Sequence, residues 1–196
     1  MPNIGSLSTG TSSPDRLVFV DRDGVINEDP IGDYVTQWEE FRFIPGALEG
    51  LRRLAHGGFG IVIVSNQAGI GDGVFTKRAL RVVTKKMLRE LRKSGVKVRG
   101  VYYCVHGKNA NCSCRKPKVG LFHQAARDLR FRPRETFFIG DKLSDMQAGK
   151  DFGFRLLFVL TGHGRMDEPK LTGDLKPEQT FPSLGEAADY VLGIHG

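Results

Sequence analysis

In the stretch LVFVDRDGVINED, residues 17–29, a run of apolar residues changes abruptly to acidic ones. Four apolar residues, Leu17–Val20, predict a buried strand, and the strand ends at two carboxylates, Asp21 and Asp23, followed by Gly24. Burying a carboxylate is costly unless another group compensates its charge. We therefore expect other parts of the chain to bring a partner to these two acids.

Four further short runs of apolar, β-branched or aromatic residues predict additional strands: Ile61–Val64, Val101–Tyr103, Thr136–Ile139 and Leu156–Leu160. Helical patterns lie between and after these strands, over Pro45–His56, from Thr76, over Val119–Leu129, over Ser144–Lys150 and from Ser183. The alternation predicts an α/β fold, a Rossmann-like parallel sheet with helices on both faces. Such sheets bind ligands beyond the carboxyl ends of their strands.

Length and composition predict a single domain with a full core. The chain has 196 residues, of which 40% are hydrophobic and 26% are charged. We expect residues 1–15, rich in Gly, Ser and Thr, to be a disordered tail and residues 16–196 to form the domain. No apolar run approaches the roughly 20 residues of a membrane helix, and the N-terminus does not resemble a secretory signal. These features favour a monomeric cytoplasmic protein with no membrane partner.

The net charge of +7 is concentrated in one predicted helix. The stretch from Thr76 to Arg99 carries ten Lys and Arg residues against one acid, Glu90, and its apolar residues recur at helical spacing. An amphipathic helix with a solvated basic face explains this pattern. The alternative is a basic surface that attracts anionic substrates or polymers.

Carboxylates end two of the predicted strands, Asp21 and Asp23 after the first and Asp141 and Asp145 after the fourth. Carboxylates from separate strands repel one another unless a cation lies between them, and oxygen ligands favour Mg²⁺. One carboxylate can also attack phosphorus, and a second can act as a general acid and base. An EF-hand is excluded because Val25 and Gly32 stand at two of its ligand positions. Either pair alone would be explained by turns or caps, but two pairs at two strand ends favour a site.

Polar groups that suit a phosphoryl group also follow the predicted strands. Ser65 and Asn66 end the second strand, and Lys116 follows the third. A hydroxyl, an amide and an ammonium can hold the oxygens of a transferring phosphoryl group. Arg115 could bind a second anionic group through its planar guanidinium.

The cysteines are clustered in YYCVHGKNANCSCRKP, residues 102–117. Cys104, His106, Cys112 and Cys114 provide four ligands, enough for a closed tetrahedral zinc site. A closed site has no position for water, so we expect a structural ion that fixes the loop before Arg115. Reduced thiols without a metal are the alternative.

Taken together, these residues resemble the haloacid dehalogenase superfamily of phosphatases. The matching motifs are DRDG at Asp21–Gly24, Ser65, Lys116 in RKP and GDKLSD at Gly140–Asp145. The resemblance, which extends from about Leu17 to Leu192, implies Asp21 as nucleophile and Asp23 as general acid/base. It further implies Mg²⁺ bound by Asp21, the Asp23 carbonyl and Asp141, with Ser65 and Lys116 on the phosphoryl group. The spacing of the motifs leaves no room for a large cap domain, so a capless member is expected.

Within this superfamily, the motifs SNQAGIGDGVFT, CRKPKVGLF and GDKLSDMQAG resemble the D-glycero-D-manno-heptose 1,7-bisphosphate 7-phosphatases. That resemblance implies a small sugar bisphosphate substrate and a role in heptose and lipopolysaccharide precursor biosynthesis. By the same resemblance, further residues lie on the substrate side of the site: Asp29, Tyr34, Asn66, Gln67, Ala68, Arg115 and Lys142.

Three other functions stay open at this point. Only five residues separate His106 from Cys112, and this short loop is more similar to the histidinol-phosphate phosphatases of histidine biosynthesis. A polynucleotide 3′-phosphatase would share the SNQ and RKP motifs, but no aromatic platform for stacking bases is visible, so a nucleic acid partner is disfavoured. The third is a non-enzymatic binding module built on the zinc loop. It would require the presence of four catalytic-motif residues to be coincidental: Asp21, Asp23, Lys116 and Asp141.

Overall fold

A computed structural model describes residues 15–30 and 33–194 of the chain. The tail predicted for residues 1–15 lies outside the described residues, except for Asp15. Residues 31–32 and 195–196 are likewise outside them.

Six strands form one parallel sheet in the spatial order β3-β2-β1-β4-β5-β6. The strands are β1 Leu17–Val20, β2 Gly60–Asn66, β3 Val98–Cys104, β4 Phe137–Gly140, β5 Arg155–Val159 and β6 Gln179–Phe181. The five predicted strands are confirmed within a few residues. The sixth was not predicted, because β6 is a three-residue edge strand with exposed or half-buried side chains and no apolar run.

Helices cover both faces of this sheet, as predicted. They are α1 Ala47–His56, α2 Ala68–Gly71, α3 Lys77–Lys93, α4 Gly120–Asp128, α5 Leu143–Phe152, α6 Gly164–Asp167 and α7 Leu184–Ile194. Apolar residues of α1, α3 and α7 pack on one face, and those of α4 and α5 pack on the other. Among the described residues, no helix has the length and apolar character needed to cross a membrane.

Strand β1 lies at the centre of the core. Val18 and Val20 point into the cluster with α1, whereas Leu17 and Phe19 point into the cluster with α4, as the two-residue period of a strand requires. All four side chains are buried. A strand buried on both faces explains the uninterrupted apolar run that opens the motif.

The strand order reverses between β1 and β4, which are neighbours in the sheet but distant in the sequence. The backbone N–H of Asp21 donates to the carbonyl of Ile139 at 3.0 Å, so the ends of these two strands are held together. Such a reversal leaves a crevice at the carboxyl edge of the sheet. In the described residues, only loops and short helices, and no cap domain, lie between β1 and α1 or between β2 and α3.

Candidate active site

A cleft of about 540 Å³ opens at the carboxyl edge of the sheet, above the ends of β1 and β4. Most of the residues predicted for catalysis or substrate binding line it: Asp21, Asp23, Asp29, Tyr34, Ser65, Asn66, Ala68, Arg115, Lys116 and Lys142. Residues from at least four separate segments therefore meet in one place. The cleft is also lined by Lys108, Asp145 and His163, which bring additional charged or titratable groups.

Asp21 is buried at the end of β1, with 3% of its surface exposed. Its Oδ1 accepts a hydrogen bond from the backbone N–H of Arg22 at 2.8 Å and lies 3.0 Å from the Nζ of Lys116. Burial raises the pKa of Asp21 from 3.8 to about 6, although the charge of Lys116 opposes the shift. Asp21 is therefore a carboxylate that is ionised at neutral pH but held in an unfavourable environment, as a reactive group often is.

Lys116 lies between the end of β1 and the first turn of α5. Its Nζ lies 2.6 Å from Asp145 Oδ1 and donates to the carbonyl of Val64 at 3.0 Å, in addition to its contact with Asp21. Burial lowers the pKa of Lys116, but the charges of Asp145 and Asp21 outweigh it and raise the pKa. The backbone of Lys116 is fixed as well, because its N–H and C=O both pair with the Asn66 side-chain amide at 3.0 Å. Lys116 is thus a permanently charged group in a fixed position.

The carboxylate of Asp23 is held by hydrogen bonds to both of its oxygens. Its Oδ1 accepts from Arg22 Nη2 at 2.6 Å and from Asn27 Nδ2 at 3.0 Å. Its Oδ2 accepts from Gln67 Nε2 at 2.7 Å and from Ser65 Oγ at 3.3 Å. Burial would raise the pKa of Asp23, but the charge of Arg22 lowers it below the usual value.

Gln67, assigned to the substrate side from the sequence, does not line the cleft. Its side chain is buried and bonds Asp23 and Ser65, so it holds other site residues in place. Arg22 and Asn27 have the same positioning role and were not predicted. A signal was present in the sequence, because an arginine between two acids at a buried strand end needs an acidic partner.

Three carboxylates, those of Asp21, Asp141 and Asp145, each offer an oxygen within 4.8 Å of the others. The Oδ1 of Asp141 is buried and accepts no hydrogen bond from the described residues. Burial raises the pKa of Asp141 well above its usual value. These are the features of a carboxylate group that requires a cation.

A side-chain cation already stands among the oxygens expected to bind magnesium. Lys142 Nζ lies 3.1 Å from the backbone carbonyl oxygen of Asp23, 3.7 Å from Asp141 Oδ1 and 4.0 Å from Asp21 Oδ2. One carbonyl and two carboxylate oxygens around a positive charge are a donor set that suits Mg²⁺. The residues present therefore fit the metal that the superfamily resemblance implies.

Gly24 allows the loops after β1 and β4 to approach closely. Its φ is +94°, and a Cβ at this position would lie 2.1 Å from Asp141 Oδ2. The same Oδ2 accepts a hydrogen bond from the backbone N–H of His163 at 2.8 Å. Only glycine combines the required φ with the required space, which explains the fourth residue of DRDG.

The outer part of the cleft is built on Asp29. Its Oδ2 lies 2.9 Å from Lys142 Nζ and 3.3 Å from His163 Nε2. Tyr34 packs against Phe75 with ring centroids 5.8 Å apart. Arg115 also lines the cleft, and its buried Nη1 has no hydrogen-bond partner among the described residues, so the guanidinium has an unused donor for an anionic ligand.

The cysteine loop brings its four predicted ligands together. Cys104 Sγ lies 3.6 Å from His106 Nδ1 and from Cys112 Sγ, and Cys114 Sγ lies 3.2 Å from Cys104 Sγ and 3.7 Å from Cys112 Sγ. Ligand atoms around one tetrahedral zinc ion are roughly 3.5–3.8 Å apart, close to this spacing. The cysteines form no disulfide.

The thiol of Cys112 has a lowered pKa. Burial opposes ionisation of Cys112, but hydrogen bonds from the backbone of Arg115 and from the Cys104 thiol lower its pKa to about 6. A thiolate is the form that binds zinc. The cluster therefore fits a structural zinc ion, and it lies directly before Arg115 and Lys116.

The parallel sheet with its paired strand-end acids and buried lysine defines a haloacid-dehalogenase-like hydrolase. The HAD-hydrolase-like family model matches residues 113–187. The chain is 36% identical to the D-glycero-beta-D-manno-heptose-1,7-bisphosphate 7-phosphatase of Haemophilus ducreyi, over 90% of this chain and 98% of that protein. It therefore belongs to the family of these 7-phosphatases.

Two further comparisons agree with this assignment. The corresponding 7-phosphatase of Helicobacter pylori is 39% identical over 68% of this chain and 77% of its own length. A crystal structure of D,D-heptose 1,7-bisphosphate phosphatase from B. bronchiseptica, complexed with magnesium and phosphate, superimposes with a TM-score of 0.84. Its sequence is 31% identical, and the match covers 91% of this chain and 99% of that one.

Proposed function

We propose that this chain removes the 7-phosphate of D-glycero-D-manno-heptose 1,7-bisphosphate through an aspartyl-phosphate intermediate. One observation carries the proposal. Asp21, the predicted nucleophile, is a buried carboxylate at the end of a central strand, 3.0 Å from the buried ammonium of Lys116 and 4.0 Å from the ammonium of Lys142. The substrate in the proposal comes from family membership, since the curated relatives are named as 7-phosphatases of heptose 1,7-bisphosphate.

The first step is the attack of an Asp21 carboxylate oxygen on phosphorus, which breaks the bond to the sugar oxygen. Lys116 places a positive charge beside Asp21, where the phosphoryl group approaches. Ser65 lines the same wall and can donate its hydroxyl proton to a phosphoryl oxygen. Positioning and charge stabilisation of this kind supply most of the catalysis of phosphoryl transfer.

Asp23 would donate a proton to the departing sugar oxygen and then take a proton from the hydrolytic water. In the structure it is a carboxylate of lowered pKa, held by Arg22. A bound phosphate adds negative charge near Asp23 and favours its protonated form. The same residue can therefore act as an acid when substrate is bound and as a base after the sugar has left.

Mg²⁺ would be held by Asp21, the Asp23 carbonyl and Asp141, and it would neutralise negative charge on the phosphoryl oxygens. Binding of the ion requires Lys142 to move from its place among these oxygens, and Asp29, 2.9 Å from Lys142 Nζ, can retain the ammonium. Zinc would be held by the cysteine cluster as a structural ion. It would fix the loop that carries Arg115, which is available for the second phosphate of the substrate.

We further propose that residues 16–196 act as one domain, as a monomer and in the cytoplasm.

A substrate of the size of a heptose bisphosphate fits a cleft of about 540 Å³ without a cap domain. The product, a heptose 1-phosphate, would enter lipopolysaccharide precursor biosynthesis.

The proposal is tested by phosphate release from purified protein with Mg²⁺. The substrates are both anomers of heptose 1,7-bisphosphate, histidinol phosphate and a 3′-phosphorylated oligonucleotide. We expect a heptose bisphosphate to have a kcat/KM at least about a hundredfold above the other classes, because it combines a second phosphate for Arg115 with a sugar small enough for the cleft. A larger value for histidinol phosphate, the substrate that the short cysteine loop favours, would overturn the substrate assignment.

The Asp21→Asn variant is the control for the chemistry. It keeps the size of the side chain and an oxygen that can accept from Lys116, but its amide cannot attack phosphorus. Activity in this variant comparable to that of the wild type would show that phosphate release does not pass through Asp21. Asp151→Asn, an exposed residue on α5 outside the cleft, is the matched substitution and should leave kcat/KM unchanged.

A further inference from the structure

A second concave surface lies on the side of the molecule formed by α3 and the edge strand β3. This α3–β3 groove has a volume of about 880 Å³. Its floor includes the half-buried side chains of Leu88, Val98 and Val101, which continue into the hydrophobic core. None of its lining residues belongs to the active-site cleft.

The rim of the groove is basic and lacks acidic residues. The lining includes five cationic side chains: Arg81, Lys85, Arg89, Arg92 and Lys97. Arg89 pairs with Glu90, but the other four form no ion pair with the described residues. The basic face of α3 is therefore not neutralised within the chain, and it borders an apolar floor.

Strand β3 leaves one backbone edge available. It is the outermost strand of the sheet and, among residues 15–30 and 33–194, pairs only with β2. An outer strand presents N–H and C=O groups that can bond another extended segment. A strand added here would lie beneath the α3 residues that line the groove.

We propose that the α3–β3 groove binds an extended, acidic segment of a partner protein, which adds a strand to β3. Apolar side chains of that segment would contact Leu88 and Val101, and its carboxylates would pair with the rim. Charge argues against a second copy of this chain, because two such rims would repel each other. Residues 1–14 contain no acid and cannot supply the carboxylates. The apolar floor argues against nucleic acid, which offers a phosphate backbone and no aliphatic side chains.

The probe is a fluorescein-labelled peptide of alternating valine and glutamate with glycine ends. Its binding to the full chain is measured by fluorescence anisotropy, and the bound region is mapped by amide chemical shifts in NMR. We expect saturable binding, with the largest shifts in β3. The double variant Arg81→Glu, Lys85→Glu should weaken binding about tenfold or more, since two attractions become repulsions.

The matched control is Lys77→Glu, Arg78→Glu, which makes the same change of charge on the same helix but outside the groove. It should change the affinity less than about twofold. Thermal unfolding establishes that both variants are folded. Equal weakening by the two double variants would mean attraction to net charge alone and would overturn the proposal.

Two further probes separate strand addition from binding of any polyanion. A peptide of the same sequence that is N-methylated at alternate residues cannot complete the backbone hydrogen bonds and should not bind. Equally tight binding of this peptide, of oligoglutamate or of a single-stranded oligonucleotide with the same charge would overturn the proposal. So would the absence of binding by the unmodified peptide.

Discussion

Asn in place of Asp21 should stabilise the magnesium-free protein while it abolishes phosphatase activity. Burial raises the pKa of Asp21 from 3.8 to about 6, so the folded protein retains a proton that the unfolded chain releases. The stability of the folded state therefore decreases as the pH rises from about 4 through about 6. Asn carries no charge and avoids this penalty.

The size of the effect follows from the pKa values. The shift, from 3.8 to about 6, is about two pH units, and each unit corresponds to about 1.4 kcal/mol. At neutral pH the ionised Asp21 should therefore cost the folded state about 3 kcal/mol. Lys116 keeps its second partner in the variant, because its Nζ lies 2.6 Å from Asp145. Removing the charge of Asp21 consequently does not leave the lysine unpaired.

The assay is urea unfolding of wild-type and Asp21→Asn protein in magnesium-free buffer across the pH range. The difference between the two proteins reports the ionisation of Asp21 together with its electrostatic interaction with neighbours such as Asp141, and groups that do not interact with Asp21 cancel. It should be near zero at about pH 4 and rise to about 3 kcal/mol in favour of the variant at neutral pH. Added Mg²⁺ should stabilise the wild type more than the variant. A variant of equal or lower stability, or a difference that does not change with pH, would show that the ionised Asp21 carboxylate does not destabilise the folded protein.

Three other substitutions test the remaining parts of the site. Lys116→Met removes the cation that pairs with buried Asp145 and Asp21. It should lower kcat by roughly 10²–10³ and the free energy of unfolding by about 3–5 kcal/mol, and wild-type kcat would contradict the role of Lys116. Cys112→Ser should reduce the bound zinc, measured by mass spectrometry of metals, and lower the thermal midpoint by several degrees; unchanged zinc content would rule out the four-ligand site. Gln67→Leu removes a hydrogen-bond donor to Asp23 and should lower kcat about tenfold with little change in KM. A rise in KM without a change in kcat would instead indicate that Gln67 contacts the substrate.

The central strands and helices could be predicted because burial leaves a clear pattern in the sequence. Leu17–Val20 is apolar throughout because both faces of β1 are covered, and the uninterrupted run is itself the signal. Strand β6 has no such signal, since its residues are exposed or half-buried and, within the part of the chain that the structure describes, pair with β5 alone. Its position depends on long-range pairing with β5, which the local sequence does not encode.

The sequence predicts which residues form the candidate site, but not how their side chains hydrogen-bond to one another. The sequence predicts that Asp21 and Asp141 meet, because the carboxyl ends of parallel strands share one edge. It does not indicate which donor each carboxylate uses. The pairing of Gln67 with Asp23 depends on a side-chain direction at the end of β2, and the position of Lys142 depends on a loop conformation.

We propose that the protein removes one particular phosphate, and ³¹P NMR of a reaction with heptose 1,7-bisphosphate and Mg²⁺ shows which phosphate leaves. The two phosphate groups of the substrate have separate signals, so the position of hydrolysis can be observed. We predict that the signal of the 7-phosphate disappears and inorganic phosphate appears, while the anomeric phosphate remains, and that Asp21→Asn protein leaves both signals unchanged. Loss of the anomeric phosphate, or an unchanged bisphosphate with the wild-type protein, would contradict the account.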